Sequence, residues 1–260
     1  MTMETNNGIR LEIDNHVAIV TLDAPPVNAL ALDNYQEITR IFDRLSDDAK
    51  VRSVILTAAG KVFSAGVDMK KRAASVRDDG DTWNYLRAAR ESFYAIRECK
   101  KPVVAAINGV ALGAGFGLAA HCDILIASDN ASVGLPEIDV GLMGGGTVVQ
   151  SMFSPSTARR MMFMGYRMPA SELYRLGLIE ASVPLDKLME TAMDFARTLA
   201  AKSPTAMRYA KQTMNTISEM PAREAYRFEQ NMTSELSKTP DAREAMLAFA
   251  EKRPPVFSGS

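Results

Sequence analysis

The sequence predicts an α/β fold, and three observations carry the prediction. Strand-like and helix-like stretches alternate over roughly the first two-thirds of the chain, the pattern of a sheet covered by helices. With 260 residues, 47% of them hydrophobic and 23% charged, the chain can bury a sizeable core, as one large domain or a domain with an appendage. From Leu185 the pattern turns almost wholly helical, so a core over residues 1–200 is expected to be followed by a helical region over 201–260.

The elements follow in order. "IRLEI" (9–13) and "VAIVTL" (17–22) alternate or run apolar around a turn at Asp14 and Asn15, which reads as a β-hairpin. "DNYQEITRIFDRL" (33–45) sets Ile38, Ile41, Phe42 and Leu45 at helical spacing behind an Asp. "RSVILTA" (52–58) is a buried strand. A long helix runs through "TWNYLRAARESFYAIREC" (82–99) and stops before Lys101-Pro102. Strands recur at 102–107 and 123–128, and helices at 203–217, 221–236 and 241–253, separated by Pro or polar breaks.

Composition excludes several classes of function. Thirty Lys and Arg against 31 Asp and Glu leave a formal charge of −1, so no global attraction to nucleic acid or anionic membrane is expected. The start, "MTMETNNGIR", lacks the cationic and apolar segments of a signal peptide, and no apolar run reaches the roughly 20 residues that span a bilayer; the cytoplasm is the expected location. Cys99 and Cys122 are the only cysteines and form no C-x-x-C pair, so neither a disulfide framework nor a zinc site is suggested. His16 and His121, the only histidines, stand in no metal or triad spacing, and no metal is expected.

The segment "VALGAGFGLAAHCD" (110–123) carries glycines at 113, 115 and 117 between two apolar stretches. It is not the dinucleotide fingerprint, which needs G-x-G-x-x-G, a second strand and an acid at that strand's end. Glu137 lies 20 residues after Gly117 but follows a loop entry, "VGLP", and no G-K-[ST] phosphate loop is present. What remains is a strand entering a small-residue helix start, where backbone N–H groups lack helical partners. Such amides can stabilise an oxyanion. A second donor should come from elsewhere, and "GKVFSAGVDMK" (60–70), a tight turn after a strand, is the candidate.

"PPVNAL" (25–30), "GKVFSAGVDMK", "AAINGVALGAGFGLAAHCDILIA" (105–127), "LPEIDVGL" (135–142) and "AFAEKRPPVF" (248–257) occur in one order. In that order they resemble the enoyl-CoA hydratase/isomerase, or crotonase, superfamily along essentially the whole chain. The resemblance implies a crotonase-like spiral of strand-strand-helix turns with a C-terminal helical region used in trimerisation. It implies an acyl-CoA thioester as substrate, a homotrimer or dimer of trimers, and no cofactor beyond the CoA of the substrate.

Residue by residue, the resemblance places the two thioester-binding amides at Val67, after "FSAG", and at Ala114, within "GAG". Losing one such donor typically costs about 3 kcal/mol of barrier. Lys61 and Lys70 match lysines near the CoA phosphates and adenine, Ala65 and Asp68 flank the first amide as further CoA contacts, and Lys252 matches a tail lysine that can reach a CoA. A mobile ammonium suits phosphate, although most surface lysines are merely solvated.

The acid–base set departs from the family. Hydratases of this group commonly use two glutamates; "LPEIDVG" supplies Glu137, while the partner position falls on Gly117. Three readings stay open: hydration with Glu137 alone, double-bond isomerisation with Glu137 as the proton shuttle, or acyl-CoA binding without turnover. The chain's end, "SEMPAREAYRFE" (218–229) with "AFAEKRPPVF", looks like hydratases of unusual enoyl-CoA esters and favours the first. Asp139 lies two residues after Glu137, so an extended backbone would point both carboxylates to one side and could supply a second acid. The extra acids of dienoyl-CoA isomerases would fall on Gly117 and Gly145, so that activity is not expected. Trp83 and Tyr85, in a stretch matching a variable family region, fit core and pocket equally well.

Overall fold

The structure is a computed structural model and describes residues 2–259. Two sheets form its centre. The larger has seven strands: β1 (Thr2–Asn6), β2 (Ile9–Asp14), β3 (Val17–Leu22), β4 (Ser53–Ala58), β6 (Val103–Ile107), β8 (Ile124–Ser128) and β11 (Ala181–Val183), in that spatial order. The first three strands are antiparallel neighbours, and the pairs from β3 to β11 are parallel. The smaller has β5 (Val62–Ser64), β7 (Val110–Leu112) and β9 (Ser132–Gly134) in parallel, closed by antiparallel β10 (Arg167–Pro169).

Strands β4, β6 and β8 each hand the chain directly to β5, β7 and β9 of the smaller sheet before a helix returns it. That repeated strand-strand-helix turn makes the spiral that the sequence resemblance implies, built from right-twisted parallel strands and crossover connections. The hairpin at 9–22 forms as expected, with an additional strand, β1, paired on its edge. Three-residue strands such as β7 and β9 carry too short a pattern to be read from periodicity alone.

Both faces of the parallel sheet are covered, which is why its strands read as continuous apolar runs. On one face Leu11, Val20, Val54, Leu56, Val103 and Ala105 pack beneath α1 (Leu32–Asp47) and α3 (Asp79–Glu98). On the other, Val17, Ile55, Val104, Ala106 and Ile126 meet Leu188, Ala192, Ala196 and Ala200 of α8 (Leu185–Ala200). Alanine at four-residue spacing lets α8 approach closely, and Ser53 Oγ donates to the Ala196 carbonyl at 2.8 Å.

The chain then continues as α9 (Pro204–Ile217), α10 (Ala222–Ser237) and α11 (Pro240–Glu251). Helix α9 is fastened to the core by Lys211, whose side chain is only 6% exposed. Its ammonium donates to the carbonyls of Ile96 and Lys101 and pairs with Asp123 at 2.7 Å. Asn215 Nδ2 donates to the Arg97 carbonyl alongside. Helix α10 buries no residue at all, although its apolar positions recur at helical spacing. No helix among the described residues is long and apolar enough to cross a membrane.

Candidate active site

The first loop of interest leaves β5 at Ser64. Its geometry is set by Asn28, a buried residue of the "PPVNAL" motif whose amide donates to the carbonyls of Ala59 and Val62. Ser64 Oγ donates to the Asn28 carbonyl at 2.7 Å. Gly66 then adopts φ +88°, and a Cβ there would stand 2.8 Å from the Leu112 carbonyl oxygen and 3.5 Å from the Ala114 nitrogen. Only glycine allows both that backbone conformation and that approach.

Leu30 brackets the next residue. Its N–H donates to the Gly66 carbonyl at 2.7 Å, and its own carbonyl accepts the Asp68 N–H at 2.8 Å. This parallel bridge of Leu30 with Val67 turns the Val67 N–H to the side away from Leu30. Among the described residues that N–H has no protein acceptor.

The second loop enters α4 (Ala114–Ala120) after Gly113, which adopts φ +52° and donates its N–H to the Gly134 carbonyl. Ala114 is the first helical residue, so its N–H has no intrahelical acceptor, and no other is present among the described residues. At Gly115 a Cβ would stand 2.7 Å from Ser64 Oγ, so α4 seats directly on the first loop. The two open amides belong to backbone segments in van der Waals contact.

Glu137 approaches from a third element, a 3-10 helix over Pro136–Val140. A Cβ on Gly113 would collide with its Oε1, and one on Gly144 would lie 3.9 Å from that same oxygen. Oε2 is buried without a hydrogen-bond partner among the described residues. Desolvation holds the Glu137 carboxyl above the ordinary carboxylate range, against a smaller lowering by its own backbone N–H. The structure therefore brings together Val67, Ala114 and Glu137, through Gly66 and Gly113.

Asp139 does not join them. The segment is a tight helix rather than an extended strand, and residues two apart on a 3-10 helix point about 120° away from each other. Asp139 turns instead toward Gly165, where a Cβ would stand 3.0 Å from its Oδ2. The expectation that both carboxylates share one side is corrected by this backbone.

Gly117 is closed from outside. A Cβ there would stand 2.9 Å from Cζ of Phe93, on α3, whose ring stacks on His121 at 5.2 Å. A side chain at Gly113, the N-cap of α4, would thus meet Glu137, and one at Gly117 would meet Phe93. The imidazole of His121 contacts the Gly117 carbonyl at 2.7 Å, and burial lowers its pKa. Gly145 is the N-cap of α5 (Gly146–Met152), in a left-handed conformation against Leu135.

The residues matched to CoA contacts are peripheral. Lys61, Ala65, Lys70 and Lys252 are exposed, and among the described residues the three lysines form no ion pair. Lys252 sits at the C-cap of α11 with φ +55°. Asp68 caps α2 (Met69–Ser75), its Oδ1 accepting the Lys71 N–H at 3.0 Å. Trp83 is 64% exposed, whereas Tyr85 is buried and donates to the Leu30 carbonyl at 2.7 Å. The roles of Asn28, Leu30 and Tyr85 lie in hydrogen bonds across 31 to 55 residues, which no local pattern announces. A cavity of about 870 Å³ beside Arg97 and Arg208, at the α3–α9 junction, contains none of the site residues.

Comparison with known proteins agrees with this arrangement. The enoyl-CoA hydratase/isomerase family profile matches residues 12–260. Carnitinyl-CoA dehydratase of Escherichia coli K12 is 36% identical over 263 residues, covering 98% of this chain and 97% of the relative. Short-chain-enoyl-CoA hydratase of Clostridium acetobutylicum is 35% identical, covering 96% and 97%. Among solved structures, enoyl-CoA hydratase from Bacillus anthracis superposes with a TM-score of 0.92 at 30% identity, covering 98% of this chain and 100% of that one. With the spiral, the family match and these relatives all spanning nearly the full length, the chain belongs to the enoyl-CoA hydratase/isomerase, or crotonase, family of enzymes.

Proposed function

We propose that the protein is an enoyl-CoA hydratase that adds water across the 2,3 double bond of an acyl-CoA thioester. One observation carries the reading: two unpartnered backbone N–H groups, on loops in contact, share a site with a desolvated carboxylate whose Oε2 has no partner among the described residues. The thioester oxygen accepts from Val67 and Ala114, which stabilise the negative charge it gains as an enolate. Glu137 takes a proton from water as the water oxygen bonds to C3, and returns a proton to C2 as the enolate collapses. Desolvation raises the Glu137 pKa, which makes the carboxylate a stronger base toward water than an exposed one.

A second reading, double-bond isomerisation, is favoured by Phe93 over Gly117, which leaves no room for a second acid at that place. Glu137 would then remove a proton from C2 of a 3-enoyl-CoA and deliver one to C4. Incubation with a 2-enoyl-CoA and a 3-enoyl-CoA in deuterated water separates the readings. A 3-hydroxyacyl-CoA labelled at C2 supports hydration, and double-bond migration with label supports isomerisation. No exchange with either substrate overturns both and leaves a non-catalytic acyl-CoA binder.

Assembly as a homotrimer or dimer of trimers belongs to the same proposal. It is supported by apolar side chains open to solvent on the single chain, among them Met143 at 86%, Phe163 at 69% and Phe249 at 88% exposure. Lys61, Lys70 and Lys252 are proposed to meet the CoA phosphates, their ammonium groups being free of ion pairs among the described residues.

A further inference from the structure

We propose that Tyr85 is a positioning residue for the reaction, holding the Val67 amide in register with the Ala114 amide through the Leu30 carbonyl. The inference rests on the reading of those amides as the oxyanion donors. It adds a residue outside both loops, on α3, that sets where one donor points.

The chain of contacts is short, and its hinge, from Tyr85 through Leu30 to Gly66, is buried. Tyr85 is 3% exposed, and its hydroxyl donates to the Leu30 carbonyl at 2.7 Å. That carbonyl also accepts the Asp68 N–H, while the Leu30 N–H donates to the Gly66 carbonyl. Val67 is thus suspended between two peptide groups that are both bonded to Leu30. A rotation of the Leu30 peptide would turn the Gly66–Val67 and Val67–Asp68 peptides with it. The Tyr85 hydroxyl fixes that rotation by occupying the second lone pair of the Leu30 oxygen.

Tyr85 is itself held in place. Tyr35, fully buried on α1, packs edge-on against its ring with centroids 5.6 Å apart. The Arg72 guanidinium of α2 lies 5.7 Å from its ring centroid. Helix α2 buries no residue, so this contact and the Asp68 cap are what tie it to the loop. In the N-terminal half of α3, Trp83 and Leu86 flank Tyr85 and are exposed. The inward-facing aromatic there meets Leu30, the residue that brackets Val67.

Tyr85→Phe keeps the ring and its packing. It leaves the Leu30 carbonyl bonded to the Asp68 N–H, so that oxygen keeps a donor and the fold is retained. A loosened donor is expected to lower kcat about tenfold, less than outright loss of an oxyanion donor, with KM changed less than about twofold. The direct readout is the absorption of bound cinnamoyl-CoA, which moves to the red when its thioester carbonyl is polarised. The wild type should give that red shift, Tyr85→Phe a clearly smaller one, and p-aminophenylalanine at position 85, which restores an N–H donor, should recover it. An unchanged shift and kcat in Tyr85→Phe overturn the positioning role. So does a loss that p-aminophenylalanine fails to recover, because the missing donor would then not be its cause. No red shift with wild type overturns the oxyanion reading itself, and this inference with it.

Discussion

Glu137 joins the chemistry to the strain of the site. Glu137→Gln is expected to lower turnover about 10³-fold while leaving CoA-ester binding nearly intact, measured by steady-state kinetics and by titration with a non-reacting acyl-CoA. Desolvation raises its pKa, so its proton is bound more tightly in the folded than in the unfolded chain. The stabilising contribution of that proton is present below the ordinary carboxylate pKa and is lost as pH rises through the raised value. At neutral pH the ionised group therefore weighs against folding, and Glu137→Gln should raise the thermal midpoint at pH 7 while the difference shrinks toward pH 4. The same shift sets the acid limb of kcat/KM: activity that needs the carboxylate should fall as pH drops through a pKa above that of free glutamate. Gly113→Ala, at φ +52° and in collision with Oε1, is expected to cost about 1–3 kcal/mol of stability and at least about tenfold in kcat/KM. Denaturant titration and initial rates check both.

At the scale of elements, α4 and α3 meet where a second acid would stand. A Cβ at Gly117 would press into Phe93, so Gly117→Ala is expected to cost about 1–3 kcal/mol by overpacking. Phe93→Ala alone removes a ring and costs about 3–5 kcal/mol. The double variant should lose less than the sum, because the clash and the void sit at one place; strict additivity in denaturant titrations would show that the two residues do not share it. The element also shows what local reading misses. Glycine at 117 is visible in the sequence, but the ring that fills its place comes from 24 residues earlier on another helix. Likewise "LPEIDVG" reads equally as extended chain or tight helix, and Pro136 at the first helical position settles it for the 3-10 form, sending Asp139 toward Gly165.

Across the whole molecule, α9 is held to the spiral by the buried Lys211 ammonium, with Asn215 beside it. Lys211→Ala removes the cation from Asp123, which keeps the Val103 N–H as a donor, and the ammonium donor from two carbonyls; it is expected to cost about 3–5 kcal/mol, read as a lowered unfolding midpoint. Sedimentation of the wild type should give a trimer or hexamer of the 28.3 kDa chain. Phe249→Asp should weaken that assembly if α11 faces a second copy, with the monomer's fold unchanged because Phe249 is 88% exposed on the single chain. By itself the sequence determined the α/β class, most helices, the strands at 9–22, 52–58, 102–107 and 123–128, the family, and the glycine-rich backbone segments, because hydrophobic period and glycine placement are local signals. Only the tertiary structure decided that Gly66 and Gly113 bring two open amides against Glu137, that Phe93 closes Gly117, and that Tyr85 reaches Leu30. Each depends on contacts between residues tens of positions apart, whose distances are set by how the spiral closes and not by any pattern along the chain.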